Sequence, residues 1–368
     1  HRDVLRLSHS KPHSPEHSVV FAYIVKGINE AMKKAEPPNN TEESDKVIEF
    51  LTAVEEMKGL NNKDDVFQHY RCAELIRKHN LVREHVPSPM LNSITVWVSL
   101  LEHMPLGAMI RSLSKLTSIG LIHEKSPETI SIVKRLTDRD LIKNARIHPI
   151  GILQAHRTYR SGHGDKGSLT WRPVEAISKA LDKAFELAFA SVEPSNKRHL
   201  LALDVSGSMT WGKICGSSLC PHEASAAMAL ITMRTEPACK VMCFSDEFSD
   251  LALTKESSLE EALRCTRNQR FGATDCALPM IYAMKKNLCI DTFVVYTDSE
   301  TYFGKIHPCE ALKKYRRSMR IPDAKLIVVG MESNGFTIAD PTDHGMMDVV
   351  GFDSASPAIM SNFSAGNI

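Results

Sequence analysis

The sequence has no long apolar run and almost no net charge. No stretch approaches the roughly 20 apolar residues that a helix needs to cross a bilayer, so we expect no membrane partner. The 368 residues carry 45 Lys and Arg against 44 Asp and Glu, and a net charge of +1 indicates no class of partner by itself. With 43% apolar and 24% charged residues, the composition excludes a disordered chain and a collagen-like repeat.

A signal peptide is also missing, because no charged segment followed by an apolar core stands at the start. The sequence begins at His1 rather than Met, inside a predicted helix that extends to Ser8. We therefore expect further chain to precede it.

The near-zero charge hides two unequal halves. Residues 1–192 carry 27 basic and 23 acidic residues, a net of +4, whereas residues 193–368 carry 18 and 21, a net of −3. Histidine divides 12 to 4 and cysteine 1 to 8. We predict two domains, 1–192 and 193–368, joined at a polar segment around Pro194 that can end a helix and turn the chain.

The nine cysteines are odd in number and several lie in apolar runs, which favours reduced thiols over a disulfide framework. Cys239 and Cys243 could form a metal pair, but two small residues on a buried strand is the simpler interpretation. Cys215, Cys220 and His222 indicate a zinc site only weakly, because a second cysteine pair at the usual spacing is missing.

The first half shows apolar residues at helical spacing, separated by short breaks at proline, glycine and asparagine. Successive amphipathic helices of this length are typical of a HEAT-like α-helical repeat solenoid, in which each helix pair buries its face against its neighbours. No crisp repeat signature is present, and a compact bundle is the alternative. Helices are predicted at residues 19–34, 46–57, 65–78, 91–101, 106–116, 129–136 and 173–189.

Basic residues of this half form two clusters. Between Lys134 and Arg172, nine Lys and Arg face three Asp, a net of +6 in 39 residues, with Tyr159 and Trp171 among them. A second cluster lies within the first 17 residues. Cations neutralise phosphates, and aromatic or guanidinium planes stack on unpaired bases, so both clusters are candidate RNA-binding surfaces. The alternative is that each is the solvated face of a helix. The candidates are His1, Arg2, Arg6, Lys11, His17, Arg139, Lys143, Arg146, Arg157 and Arg160.

From His199 onward, short apolar runs alternate with helical segments. The runs 200–203, 241–244, 293–297 and 326–329 suit parallel strands that are covered on both faces. This alternation predicts a doubly wound α/β sheet, whose ligands bind beyond the carboxyl ends of the strands.

Three polar segments meet at that edge of the predicted sheet. They are the segments 204–208, 272–275 and 297–299. In the first, Asp-x-Ser-x-Ser presents a carboxylate and two hydroxyls, and Gly207 allows a bend. All the donors are oxygens, which suits Mg²⁺ and makes zinc an unfavourable choice. The pattern resembles the metal-ion-dependent adhesion site of von Willebrand factor A domains, from Arg198 to about Phe363. The predicted metal ligands are Asp204, Ser206, Ser208, Thr274 and Asp298.

Catalytic motifs are missing from the same half. Asp204 is not followed by the second Asp that phosphoryl-transfer aspartate motifs carry, and neither a Gly-x-Ser-x-Gly elbow nor a phosphate-binding loop occurs. We therefore expect ligand binding rather than catalysis. A protein-interaction adaptor that captures an acidic group on the metal is the second interpretation, and a metal-dependent hydrolase is the third.

Together the two halves resemble the TROVE-domain family of Ro ribonucleoproteins over essentially the whole chain, without that family's first helical repeats. The matching segments are 1–9, 81–85, 145–149, 162–164, 204–209, 272–280 and 333–340.

The resemblance implies a monomeric ring of HEAT-like repeats closed by the A domain, present in the cytoplasm with a nuclear pool. It implies binding of small noncoding Y RNAs on an outer basic surface and of the single-stranded ends of misfolded RNAs in the central hole, hence a role in RNA quality control. On this basis we expect residues 1–17 to contact duplex or Y RNA, with residues 134–172 as the secondary candidate.

Overall fold

The computed structural model describes residues 2–37, 41–164, 167–210, 214, 219–245, 247–267, 274–298, 304–331, 338–351 and 355–368, without the side chains of Arg2 and Arg6. The chain divides into two compact units, His1–Glu128 and Thr129–Ile368. This division by packing lies at another point than the predicted domain boundary between residues 192 and 193. The predicted boundary refers to domains recognised in the sequence, so it stays a prediction.

The first unit is helical. Neighbouring helices in the sequence pack on one another, as expected for HEAT-like repeats. Within the described residues of the whole chain, no helix combines the length and apolar character needed to cross a bilayer. The elements are α1 (Arg2–Leu7), α2 (Pro15–Lys26), α3 (Ile28–Lys34), α4 (Glu42–Gly59), α5 (Val66–His79), α6 (Ile94–His103) and α7 (Leu106–Ser118), with 3₁₀ turns at Arg83–His85 and Met90–Asn92.

Helix α5 illustrates how local signals set these boundaries. The Asp65 side chain accepts hydrogen bonds from the amides of Phe67 and Gln68, which satisfies donors that a helix start leaves unpaired. The helix ends at Asn80, which adopts the left-handed conformation with φ 51°. Between these caps, Cys72 and Ile76 lie one turn apart and are fully buried.

The single helix predicted over residues 19–34 is wrong, because the chain forms α2 and α3 with a break at Gly27. Gly27 has φ 89° and ψ −176°, a conformation that is essentially restricted to glycine. Its amide still donates to the Tyr23 carbonyl at 2.8 Å, so α2 is capped where the chain changes direction. Apolar periodicity continues across the break and therefore did not reveal it.

The second unit contains a six-stranded sheet in the order β3-β2-β1-β4-β5-β6, parallel except for β3. Its strands are β1 (Arg198–Asp204), β2 (Ala238–Phe244), β3 (Phe248–Asp250), β4 (Thr292–Thr297), β5 (Lys325–Gly330) and β6 (Met346–Val350). Its helices are α8 (Pro127–Leu136, which begins two residues before the division), α9 (Arg139–Asn144), α10 (Pro149–Ser161), α11 (Glu175–Ala188), α12 (Pro221–Thr235), α13 (Leu259–Arg267), α14 (Leu278–Lys285), α15 (Pro308–Met319) and α16 (Ser356–Ala365).

The sheet is covered on both faces, which confirms the doubly wound α/β prediction. Phe293 of β4 belongs to a buried cluster with Leu312 of α15. Its neighbour Val294 points to the opposite face, where it lines a small cavity with Ile231 of α12 and Met360 of α16. The four predicted apolar strands are confirmed as β1, β2, β4 and β5. The two edge strands were not predicted because they are short and half-exposed, and therefore carry no apolar run.

The helices between residues 129 and 193 pack in the same unit as the sheet. Helix α10 contacts α12, and the buried Glu236 carboxylate accepts the amides of Ser195 and Asn196 at 2.6 and 3.0 Å. Arg234 of α12 also pairs with Glu186 of α11 at 2.6 Å. Side chains of the α/β fold therefore hold both the connecting segment and the helix before it.

The Gly27 break gives a test of backbone strain. We expect Gly27→Ala to destabilise the protein by about 1–3 kcal/mol, because a Cβ at this φ and ψ is strained. No neighbouring atom lies within 4 Å of an added Cβ, so the cost comes from the backbone alone. Urea unfolding of purified variants measures it.

Gly59→Ala is the matched control, since Gly59 also has open space around it and closes α4 without a positive φ. It should be neutral or stabilising by up to about 1 kcal/mol. Equal effects of the two substitutions would contradict the assignment of strain to Gly27.

Candidate metal site and basic surfaces

Three segments of the α/β unit end at one edge of the sheet. Strand β1 ends at Asp204, which lies in register with Phe244 at the end of β2. On the other side, Leu203 of β1 pairs with Tyr296 of β4, so Asp298 follows β4 immediately beyond that edge. The carboxyl ends of neighbouring parallel strands thus bring Asp204 and Asp298 together, as the sequence predicts.

Both oxygens of the Asp204 carboxylate are held by its neighbours. Oδ1 accepts the Ser206 amide and Oδ2 accepts the Thr297 hydroxyl, each at 2.8 Å. The hydroxyls of Ser206 and Ser208 lie 3.1 Å apart, with Ser208 exposed to solvent. Three of the predicted ligands therefore surround one point on the loop.

The bend that we assigned to Gly207 needs no glycine. Gly207–Thr210 forms a 3₁₀ turn, and Gly207 is not among the residues with positive φ. The loop turns because Thr210 donates its hydroxyl to the Gly207 carbonyl at 2.7 Å. The expectation that a glycine at position 207 allows the bend was therefore wrong.

Thr274 reaches the same edge through its neighbour. The Asp275 amide donates to the carbonyl of Ser245, the residue after β2, at 3.1 Å. The Asp275 carboxylate in turn accepts the Ala277 amide at 2.9 Å, at the start of α14. These bonds hold Thr274 buried beside the end of β2.

The electrostatics of the edge favour a cation. Asp204 is 1% exposed, and burial, with the nearby negative charge of Asp298 adding to it, raises its pKa to about 6. Asp298 Oδ1 is buried and has no hydrogen-bond partner within the described part of the chain. Two neighbouring carboxylates, one with an unsatisfied buried oxygen, and several hydroxyls fit the oxygen ligands that Mg²⁺ takes.

Thr297 is a member of this site that was not among the five predicted ligands, although segment 297–299 was predicted to reach this edge. Its side chain is fully buried and donates directly to Asp204. The available signal was its position immediately before Asp298, at the end of the strand next to β1.

The cysteine-containing alternatives are not supported by contacts. Cys215 lies outside the described residues, and His222 Nε2 contacts the Thr266 hydroxyl instead of a thiol. Within the described ranges, no group of three His, Cys, Asp or Glu side chains could hold a metal ion. Cys243 is buried on β2, as expected for a structural strand residue, and all eight cysteines that the structure describes are free.

The first basic cluster lies at the start of the helical unit. His1 lies outside the described residues, and Arg2 and Arg6 are placed on α1 by their backbone. Lys11 and His17 are exposed, the latter in the first turn of α2 where its amide donates to Ser14.

The second cluster presents exposed cations on α9, on α10 and between them. Arg139, Lys143, Arg146 and Arg160 are exposed and form no ion pair with any residue that the structure describes. Arg157 differs, because its guanidinium pairs with the Glu223 carboxylate of α12. Four of the five predicted RNA contacts of this cluster therefore carry charges without an acidic partner.

His148, Tyr159 and Trp171 of this cluster make contacts that belong to the fold. His148 Nδ1 accepts the Ile150 amide at the start of α10, and burial lowers the pKa of His148 to about 4, so its ring is neutral. Tyr159 is 1% exposed, and the Trp171 indole donates to its carbonyl at 2.7 Å. The expectation that the Tyr159 ring is available to stack on bases is therefore wrong, whereas the half-buried Trp171 ring packs on it and keeps part of its surface exposed.

Comparison with known proteins identifies the family of each part of the chain. The sheet and its hydroxyl-rich edge place the second half of the chain in the von Willebrand factor A class. Residues 198–364 match the family described as the Ro60 vWA domain. Residues 1–197 match the TROVE domain. The chain therefore belongs to the Ro60 family of TROVE-domain proteins.

Curated relatives span the whole chain. It is 40% identical over 396 residues to "RNA-binding protein RO60" of Caenorhabditis elegans, covering 100% of this chain and 61% of the relative. It is 39% identical over 369 residues to "RNA-binding protein RO60" of Deinococcus radiodurans, covering 100% and 66%. The chain thus spans less than two thirds of the length of these relatives.

A solved structure shares the fold. The crystal structure of Deinococcus radiodurans RO (RSR) protein matches with a TM-score of 0.81 and 37% identity, covering 96% of this chain and 75% of that one.

The contacts of Arg157 and Arg160 predict different effects on stability. We expect Arg157→Ala to cost about 1–2 kcal/mol, because it leaves the buried Glu223 carboxylate with the more distant Arg267 guanidinium at 3.4 Å. Arg160→Ala, one turn along the same helix, should change stability by less than about 0.5 kcal/mol. Urea unfolding measures both, and equal losses would contradict a structural role for Arg157.

Proposed function

We propose that this protein binds RNA, including small noncoding Y RNAs and the single-stranded ends of misfolded noncoding RNAs, as a ribonucleoprotein component in RNA quality control. The observation that supports it is the set of exposed cations on α9 and α10 that have no acidic partner among the described residues. The curated relatives are themselves named RNA-binding proteins. The proposal places the protein in the cytoplasm, with a nuclear pool.

Cations elsewhere in the chain argue against a simple solvated face. Several exposed lysines on the helices of the first unit pair with acids: Lys26 with Glu30, Lys46 with Glu42 and Lys78 with Glu49. Such pairs neutralise the local charge and leave little attraction for phosphate. This neutralisation is missing from the cluster of Arg139, Lys143, Arg146 and Arg160. Its positive charge is therefore available to attract an anionic partner.

Arg139, Arg146 and Arg160 together provide the test. We expect their simultaneous replacement by alanine to weaken binding of a structured RNA with a single-stranded tail. The salt slope should fall by about 1 for each phosphate that the variant no longer neutralises. Arg2→Ala with Arg6→Ala tests the first cluster in the same way. Filter binding across a salt series measures both.

The matched control replaces Lys26, Lys46 and Lys78, which removes the same charge from cations that are paired with acids. It should change affinity by less than about twofold, since exposed pairs contribute little. If wild-type protein failed to bind RNA at low salt, or if the control lost as much affinity as the cluster, the proposal would be wrong.

We further propose that Asp204, Ser206, Ser208, Thr274 and Asp298 hold a divalent cation, Mg²⁺ by the chemistry of the ligands. The unsatisfied Asp298 Oδ1 and the buried Asp204 carboxylate support this assignment. When bound, the cation supplies a coordination position for an acidic group of a partner. Thr297 orients Asp204 through its hydroxyl, and we propose that the site binds rather than catalyses.

Replacing Asp204 with asparagine separates the charge of the site from its shape. Without divalent ions at neutral pH, we expect Asp204→Asn to be more stable than wild type by roughly 1–3 kcal/mol, because one of two adjacent buried charges is removed. Millimolar Mg²⁺ should then stabilise wild type and leave the variant unchanged. Thermal unfolding in EDTA and in Mg²⁺ measures both effects.

Asp343→Asn is the control, because that carboxylate pairs with Arg316 at 2.5 Å. It should lose stability in EDTA and keep the full response to Mg²⁺. Equal stabilisation of wild type and Asp204→Asn by Mg²⁺ would rule out the metal assignment.

The second candidate is a protein-interaction adaptor that uses the metal to capture an acidic partner. It is favoured if Asp204→Ala abolishes a Mg²⁺-dependent partner complex while RNA affinity stays intact. Turnover of a phosphoester substrate that disappears in Asp204→Ala would instead indicate a hydrolase.

A further inference from the structure

A groove in the helical unit lies outside both basic clusters. It is formed by the end of α5, the 3₁₀ turn Arg83–His85, and helices α6 and α7, with a volume of about 630 Å³. Pockets for small ligands commonly measure about 300–1,000 Å³, so the groove is large enough for a nucleotide.

The floor of the groove is apolar and rigid. It includes Trp97, Leu100, Met104 and Ala108, of which the first three are almost fully buried. The Trp97 indole donates to the Leu91 carbonyl at 2.8 Å, which fixes the ring in place. A flat apolar group would bury its surface on this floor at little cost in side-chain ordering.

The rim of the groove is cationic. Arg83, Arg111 and Lys115 line it, against the single carboxylate of Glu84. Arg111 forms no hydrogen bond or ion pair with any residue that the structure describes. Lys115 donates to the Asn92 side chain at 2.7 Å, a neutral partner that leaves its charge uncompensated.

The pKa of Lys115 reflects this crowding. Partial burial lowers it, and the nearby charge of Arg83 lowers it further. An anion between these side chains would remove that repulsion.

The combination selects one class of ligand. A phosphodiester supplies the anion for the rim, and the base attached to it supplies a flat apolar body for the floor. An acidic peptide satisfies the rim alone, because Asp and Glu side chains carry no body that would fill the floor. Asn80 also lines the groove with a side-chain amide free of partners among the described residues, and such an amide pairs well with a base edge.

We propose that this groove binds one unpaired nucleotide of a single-stranded RNA, with its base on the half-exposed part of the floor at Ala108 and its phosphate between Arg111 and Lys115. This assignment rests on the proposed RNA-binding function and adds a site that neither basic cluster includes.

Two variants test the rim and the floor separately. Arg111→Gln with Lys115→Met removes two cations while retaining long side chains. We expect it to weaken binding of a labelled ten-nucleotide oligouridine by about tenfold and to lower the salt slope by about 1.4, since each single-strand contact contributes about 0.7. Ala108→Leu fills the half-exposed floor without changing charge, so it should weaken oligouridine severalfold at an unchanged salt slope. Fluorescence anisotropy with the complete chain measures both.

Controls address charge and folding. Arg77→Gln with Lys78→Met removes two cations of α5 that pair with Glu102 and Glu49, and it should change affinity less than twofold. Inorganic polyphosphate, which has no bases, should bind Ala108→Leu as well as wild type. Thermal unfolding checks that each variant folds.

The outcomes separate this proposal from the one before it. If wild type binds oligouridine and both groove variants bind it equally well, the groove assignment is wrong and the RNA-binding function stands. If the double variant loses polyglutamate while retaining oligouridine, the occupant is an acidic protein segment and the assignment is also wrong. If wild type binds no RNA at low salt, both proposals fall.

Discussion

The Asp204 carboxylate lies at the end of the central strand β1 with almost no exposure to water, and the edge of the sheet is arranged around it. A buried carboxylate is costly unless hydrogen bonds or an opposite charge compensate it. The Ser206 amide and the Thr297 hydroxyl provide two bonds, one from its own loop and one from the neighbouring strand. Both donors are neutral, and Asp298 adds a second negative charge, so the negative charge of this edge is not balanced by a positive one. The hydroxyls of this edge and the neighbouring strand thus both serve to compensate the Asp204 carboxylate.

The same principle separates the cations of the chain into two groups. Arg157 and Arg316 each pair with a largely buried carboxylate, and the largely buried Arg234 pairs with Glu186, so all three belong to the fold. Arg111, Arg139 and Arg160 face solvent or a groove without such a partner among the described residues. Composition counts both groups alike, which is why the net charge of +1 conveyed so little about partners.

Sequence patterns predicted the features that depend on residue type alone. The central strands were visible because parallel strands buried on both faces must be apolar. The positions of Asp204 and Asp298 at one edge of the sheet were visible because both residues follow the ends of those strands. Features that depend on contacts between distant residues were not visible. Examples are the Thr297 bond to Asp204, the pairing of Arg157 with Glu223, and the packing of the buried Tyr159 ring on Trp171. The break at Gly27 was missed because apolar periodicity reports burial and not backbone conformation.

The Glu236 carboxylate has a consequence for how this protein separates into parts. The two family domains meet between residues 197 and 198, but Glu236 of the second domain accepts the amides of Ser195 and Asn196 from the first. Cutting the chain at that point would leave a buried carboxylate without its two donors and Arg234 without Glu186. The boundary between the two family domains therefore does not coincide with a break in packing. We expect unfolding of α11 to destabilise the sheet as well, because both lose partners together.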